Sequence, residues 1–120
     1  MNQKSPLTQT PDTAPPGETP TIDADGFLQN PHAWTAHFAH QRANENHLKL
    51  SPEHLEIIDL VRGFYLEHTL HLTNRALVKL TRERFGPDKG NSIYLQTLFP
   101  GSPARLTALI GGLPKPPFCF

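Results

Sequence analysis

Ser51-Pro52-Glu53-His54-Leu55-Glu56-Ile57-Ile58-Asp59-Leu60-Val61-Arg62-Gly63-Phe64-Tyr65-Leu66-Glu67-His68 is the stretch that decides the fold class of this 120-residue chain. Ser51 is a helix N-cap and Pro52 suits the first helical position, where its missing N–H is no loss. Glu53 and Glu56 complement the positive end of the helix dipole. Ile57, Ile58, Val61, Phe64 and Tyr65 then recur at helical spacing, an apolar stripe ending near His68. One amphipathic helix cannot bury its stripe alone, so the neighbouring segments must supply the rest of the core.

They carry the same signals. Upstream, the pattern from His32 to about Asn46 is helical, with Trp34, Phe38 and Ala33 on one face. Downstream, Thr73 or Asn74 caps a helix that turns Ala76, Leu77 and Leu80 inward and Arg75, Lys79, Arg82 and Arg84 outward, until Gly86-Pro87 stops it. A short helix begins near Asn91-Ser92, carries Ile93, Tyr94, Leu95 and Leu98, and is broken by Phe99-Pro100-Gly101. Ser102-Pro103 repeats the cap-plus-proline signal for a helix with Leu106, Leu109 and Ile110 that ends at Gly111-Gly112. The expected fold is mainly α, in the α+β class, with about five helices.

The ends read differently. Five of the 13 prolines fall in residues 1–20 among Thr, Gln and Ser, a composition that buries too little apolar surface to offset its ordering entropy, so a disordered tail is expected there. Asp25-Gly26 between short apolar stretches predicts a small N-terminal β-hairpin. The last stretch, Leu113-Pro114-Lys115-Pro116-Pro117-Phe118-Cys119-Phe120, holds three prolines that forbid a helix and favour an extended arm. The expected organisation is a tail over 1–20, a helical domain over 21–112 and a mobile arm over 113–120.

Composition narrows the function classes. The chain balances 11 basic against 11 acidic residues, with a hydrophobic fraction of 37% and a mean hydropathy of −0.44, which fits a globular protein with one core. There is no apolar run long enough to span a membrane, and the N-terminal residues lack the apolar segment of a secretory signal, so a cytoplasmic location is expected. Charge is uneven: residues 1–70 hold 4 basic and 9 acidic side chains, and residues 71–120 hold 7 and 2. The single cysteine, Cys119, excludes an intramolecular disulfide, a multi-cysteine metal site and a CxxC pair.

Cys119 is the candidate for chemistry. Free cysteines are usually buried small hydrophobes, and a penultimate position makes burial hard to arrange. Lys115 favours its thiolate and the terminal carboxylate opposes it. Prenylation of the CaaX kind fails because the cysteine is not four residues from the end. His37 with His40, and His68 with His71, stand at i, i+3 spacing, but neither pair has further ligands at characteristic spacing, so no metal is expected. No GxSxG elbow and no phosphate-binding glycine loop is present. A competing reading takes residues 52–67 and 74–85 as a helix-turn-helix that meets nucleic-acid phosphates through Arg75, Lys79, Arg82 and Arg84.

Several segments resemble the DsrC/TusE family of sulfur-carrier proteins. They are Lys89-Gly90-Asn91-Ser92-Ile93-Tyr94-Leu95, Leu98-Phe99-Pro100-Gly101-Ser102-Pro103-Ala104, and Gly112-Leu113-Pro114-Lys115-Pro116 followed by the penultimate cysteine. Asp25-Gly26-Phe27-Leu28 with Trp34, Leu50-Ser51-Pro52-Glu53-His54, and Arg75-Ala76-Leu77-Val78-Lys79-Leu80 are similar too, so the likeness spans about residues 21–120.

The resemblance implies a small helical fold with an N-terminal hairpin and a mobile arm that delivers a persulfide on Cys119. It also implies a sulfurtransferase-type carrier rather than a stand-alone enzyme, with no cofactor. Members with a second cysteine eleven residues before the penultimate one form an internal di- or trisulfide; that position is Ala108 here. The sequence therefore looks like the single-cysteine TusE side, which relays sulfur toward thiolation of the transfer-RNA wobble uridine. A single-cysteine DsrC-like carrier in dissimilatory sulfur metabolism is the alternative. Implied partners are a donor complex of the TusBCD or DsrEFH kind and an acceptor such as a tRNA thiouridylase or a sulfite-reductase-like enzyme. Lys115, Arg75, Lys79, Lys89, Tyr94 and Arg105 fall in family-like segments and are candidates for the arm and its docking surface. The family usually has Thr-Gly before the cysteine and Val after it; here Pro117, Phe118 and Phe120 replace flexibility with bulk and suit a wider apolar groove in the partner.

Overall fold

A computed structural model describes residues 21–117; the segment 1–20 and residues 118–120, with Cys119, lie outside the described residues, as do the expected tail and the tip of the arm. Five helices follow one another: α1 (Ala36–Glu45), α2 (Pro52–His68), α3 (Asn74–Phe85), α4 (Ser92–Leu98) and α5 (Pro103–Ile110). A 3-10 turn, Pro31–Ala33, precedes them.

Each α-helix starts at a residue whose side chain accepts from a backbone N–H of its own first turn: Thr35 from Phe38, Ser51 from His54, Thr73 from Ala76, Asn91 from Tyr94 and Ser102 from Arg105. At α2 the cap is reciprocal, because the His54 ring Nδ1 accepts from the Ser51 backbone N–H at 3.2 Å. The same ring donates from Nε2 to the Leu98 carbonyl at 2.8 Å and meets Phe99 edge-on, so the start of α2 is fastened to the end of α4.

The core is built around α5, which packs against all four other helices. Every residue of α5 except Arg105 is buried, as expected of a helix with neighbours on all sides. Ile57, Ile58 and Val61 of α2, Ala39 and Ala43 of α1, Leu77 of α3 and Leu95 of α4 close on it, with Phe27 and Phe99 from the connections. Thr81 and Thr107 are fully buried, and each hydroxyl is satisfied by the carbonyl four residues back, at 2.7 Å.

Three expectations change. The helix expected from His32 is two elements, because Asn30 and Pro31 make a 3-10 turn and Trp34 stays extended before the Thr35 cap. The expected hairpin is reduced to one antiparallel bridge, Ile22 to Leu28, around a turn in which the Asp23 N–H donates to the Phe27 carbonyl at 2.9 Å. Strands cannot lengthen because the Asn30–Pro31 turn begins two residues beyond the bridge. Ile93, placed with the apolar residues of α4, is 80% exposed, and Leu95 alone of that helix is buried.

Candidate functional site

The root of the C-terminal segment is a helix end at which the carbonyls of Thr107, Ala108, Ile110 and Gly111 are taken by defined donors. The Gly111 N–H donates to Thr107 at 2.8 Å and the Leu113 N–H reaches back to Ala108 at 2.9 Å. Gly112 between them adopts a left-handed φ of 70°, the conformation that ends a helix cheaply only at glycine. The Ile110 carbonyl accepts from the Trp34 indole Nε1 at 2.9 Å, and the Gly111 carbonyl from Arg62 Nη1 at 2.8 Å. Arg62 also donates to Pro31 at 3.3 Å, and its guanidinium lies 4.2 Å from the centre of the Trp34 ring. A cation at a helix C-terminus is favourable in addition to its hydrogen bonds. Burial lowers the Arg62 pKa, partly countered by Asp59, but an arginine stays charged.

Beyond this clamp the segment stays on the body for several residues. Leu113 and Pro116 are buried, Pro114 is half-buried, and Lys115 and Pro117 are exposed. Lys115 Nζ donates to Asp25 Oδ2 at 2.6 Å, joining residues 90 positions apart. The hydrogen bond and charge of this pair lower the Asp25 pKa and raise that of Lys115. Arg105 acts on both charges and covers the Phe27 ring at 5.4 Å. Arg105 also lines an open depression of about 420 Å³ with Asn46, Gly101, Ser102 and Leu106.

The candidate residues thus fall into separate groups. Lys115 and Arg105 meet at Asp25. Lys89 is bound to Glu56 at 2.6 Å and lies 5.5 Å from the Phe85 ring centre, which ties the loop after α3 to α2. Tyr94 interacts with Lys89; its hydroxyl is enclosed without a hydrogen-bond partner, and desolvation raises its pKa. Arg75 and Lys79 are exposed on the outer face of α3. Two of the four cations in the helix-turn-helix reading have intramolecular roles: Arg82 donates to the Gly90 carbonyl at 3.1 Å and Arg84 covers Phe85. Of the histidine pairs, His68 packs on Phe64 and His71 on Tyr65.

Sequence reading missed Trp34 and Arg62 as the clamp. The available signal was a charged residue four positions after Ile58, within the apolar stripe of α2, together with the paired glycines 111 and 112. Asp25 was read only as a turn residue.

Comparison with known proteins places this geometry in context. The model of the family described as DsrC like protein matches residues 15–120. Sulfurtransferase TusE of Shigella dysenteriae and that of Escherichia coli K12 are each 42% identical over 104 residues, covering 87% of this chain and 95% of theirs. Among solved structures, Allochromatium vinosum DsrC superposes with a TM-score of 0.78 at 36% identity, covering 88% of this chain and 94% of its own. The oxidised gamma-subunit of the dissimilatory sulfite reductase (DsrC) of Archaeoglobus fulgidus gives 0.71 at 33% identity, with 87% and 95% covered. No helix among the described residues is long and apolar enough to cross a membrane. With the order of its helices, its clamped C-terminal segment and a match running over nearly its whole length, this chain belongs to the DsrC-like protein family.

Proposed function

We propose that this chain is a sulfur carrier that holds sulfane sulfur as a persulfide on Cys119 and passes it to a partner. The observation that supports the reading is the anchored segment. A helix end fixed by Trp34 and Arg62 leads through Pro114, Pro116 and Pro117 toward the chain's single thiol, and the chain is 42% identical to proteins named sulfurtransferase TusE. The domain organisation follows: a proline-rich tail over 1–20, a helical body over 21–112 and an arm over 113–120 that brings Cys119 to its partners.

In the loading step the Cys119 thiolate attacks the outer sulfur of a donor persulfide. A new S–S bond forms at Cys119, the donor's own S–S bond breaks, and the donor leaves as a thiolate. Transfer to the acceptor repeats the exchange with Cys119 as the leaving thiolate. No external oxidant or cofactor enters either step. The relay that fits the TusE likeness is cytoplasmic, with a TusBCD-like donor complex and a tRNA thiouridylase as acceptor in 2-thiouridine synthesis. The DsrC neighbours favour a second reading, a carrier serving a sulfite-reductase-like enzyme in dissimilatory sulfur metabolism. Under either reading Ala108, buried in α5, supplies no second thiol, so the persulfide cannot collapse into an internal ring. Lys115 and Arg105 belong to the arm and the surface beside it, and Arg75, Lys79, Lys89 and Tyr94 to surfaces available for docking.

The test is the intact mass after incubation with glutathione persulfide, for the wild type and for Cys119→Ser. The expected result is the addition of one sulfur atom, removed by reductant and absent in the variant. A wild type that takes up no sulfur, or a variant that takes up as much, overturns the carrier reading.

A further inference from the structure

We infer that the Asp25–Lys115 ion pair is a releasable latch that sets how far Cys119 reaches from the body of the protein. The inference rests on the carrier reading, since reach matters because the arm brings sulfur to a partner. The segment has two anchors of unequal strength. The first, at Gly111 to Leu113, is enclosed: Leu113 is 1% exposed, and the donors from Trp34, Arg62 and the Leu113 N–H converge on the end of α5. The second, at Lys115, is a single ion pair whose side chains are 55% and 46% exposed, helped by the burial of Pro116. Pairs so exposed are screened by salt and open readily, whereas the enclosed anchor opens only with the fold around it.

The two anchors give two lengths of lever. With Lys115 held and Pro116 seated, Cys119 is the third residue beyond Pro116, a span of about 10 Å at full extension. With Lys115 released and Pro116 unseated, the lever starts at Leu113 and six residues span about 20 Å. The prolines stiffen the freed segment, so release swings the thiol outward rather than letting it coil back. The latched form serves an acceptor sulfur that comes up to the body; the released form serves one at the bottom of a cleft.

Asp25 is suited to hold without being needed for the fold. The turn around it is organised by the Asp23 carboxylate, which accepts from the Asp25 and Phe27 N–H groups at 2.9 Å each, while the Asp25 carboxylate points to Lys115. Arg105 lies close enough to act on both members of the pair, attracting Asp25 and repelling Lys115, so this cation competes with Lys115 for Asp25 and weakens the latch. Asp25 is on this account a positioning residue that acts through Lys115.

The experiment measures the distance distribution by pulsed electron paramagnetic resonance between nitroxides on Cys119 and on a cysteine introduced at exposed Gln41 of α1. It is done for the otherwise wild-type chain, Asp25→Asn, Lys115→Gln and the charge exchange Asp25→Lys with Lys115→Asp, with circular dichroism to confirm folding. Each single variant is expected to raise the extended population about two- to fivefold and to push the outer edge of the distribution out by about 10 Å. The exchange is expected to restore the narrower distribution, and high salt to broaden the wild type. Identical distributions in the wild type and both single variants overturn the proposal. So does an exchange variant as broad as the singles, which would assign the effect to a disturbed turn. Cys119 serves here only as an attachment point, so this outcome is independent of whether it takes up sulfur.

Discussion

Replacing Gly112 by alanine tests whether the clamp holds the arm root as described. A Cβ at this position falls 2.3 Å from Cδ1 of Trp34, 2.7 Å from Cγ and 2.8 Å from Cβ. None of these atoms is the far end of a flexible side chain, so the indole must move as a unit. Moving it breaks the bond to Ile110 and withdraws the surface on which Arg62 stacks. The backbone adds a second cost, because φ is 70° and alanine in the left-handed region is disfavoured by about 1–2 kcal/mol. Overpacking at a site of this kind adds about 1–3 kcal/mol, so a loss of about 2–5 kcal/mol is expected, a large share of a small domain's stability.

Urea unfolding followed by circular dichroism measures the loss, and fluorescence of the single tryptophan reports the displacement directly. The decisive comparison repeats Gly112→Ala in a Trp34→Ala background, where both ring contacts are gone and only the 2.8 Å approach to Cβ of residue 34 remains, so the cost should fall toward the conformational penalty of about 1–2 kcal/mol. An equal cost in both backgrounds, with unchanged Trp34 emission in the single variant, would refute the reasoning.

Two further outcomes follow from the same structure. His54→Ala removes the reciprocal cap of α2 and leaves the Leu98 carbonyl without its donor, and should cost about 1–3 kcal/mol in urea unfolding, against near-neutral behaviour if the ring were merely packed. Burial beside Tyr65 of α2 lowers the His71 pKa from its ordinary 6.5, so the unfolded chain takes up this proton first. Wild type should therefore lose stability relative to His71→Gln as pH falls from 8 to 5 through that value, and a difference that stays constant with pH would contradict the assignment.

Helix boundaries were legible in the sequence because a cap is a local device. Ser51, Thr73, Asn91 and Ser102 each bind a backbone group three residues on, and Pro52, Pro103 and Gly86 act through their own backbone geometry. The family was legible for a similar reason, being carried by contiguous motifs. Tertiary structure alone decided which face of each helix is covered: Ile93 is left in solvent, while Thr81 and Thr107 are enclosed because a hydroxyl can satisfy itself on its own helix. It alone also brought Trp34 and Arg62 to the end of α5 and Asp25 to Lys115. These contacts join residues 49 to 90 positions apart, and nothing in the local pattern of either partner specifies them, because they depend on how the helices pack around α5.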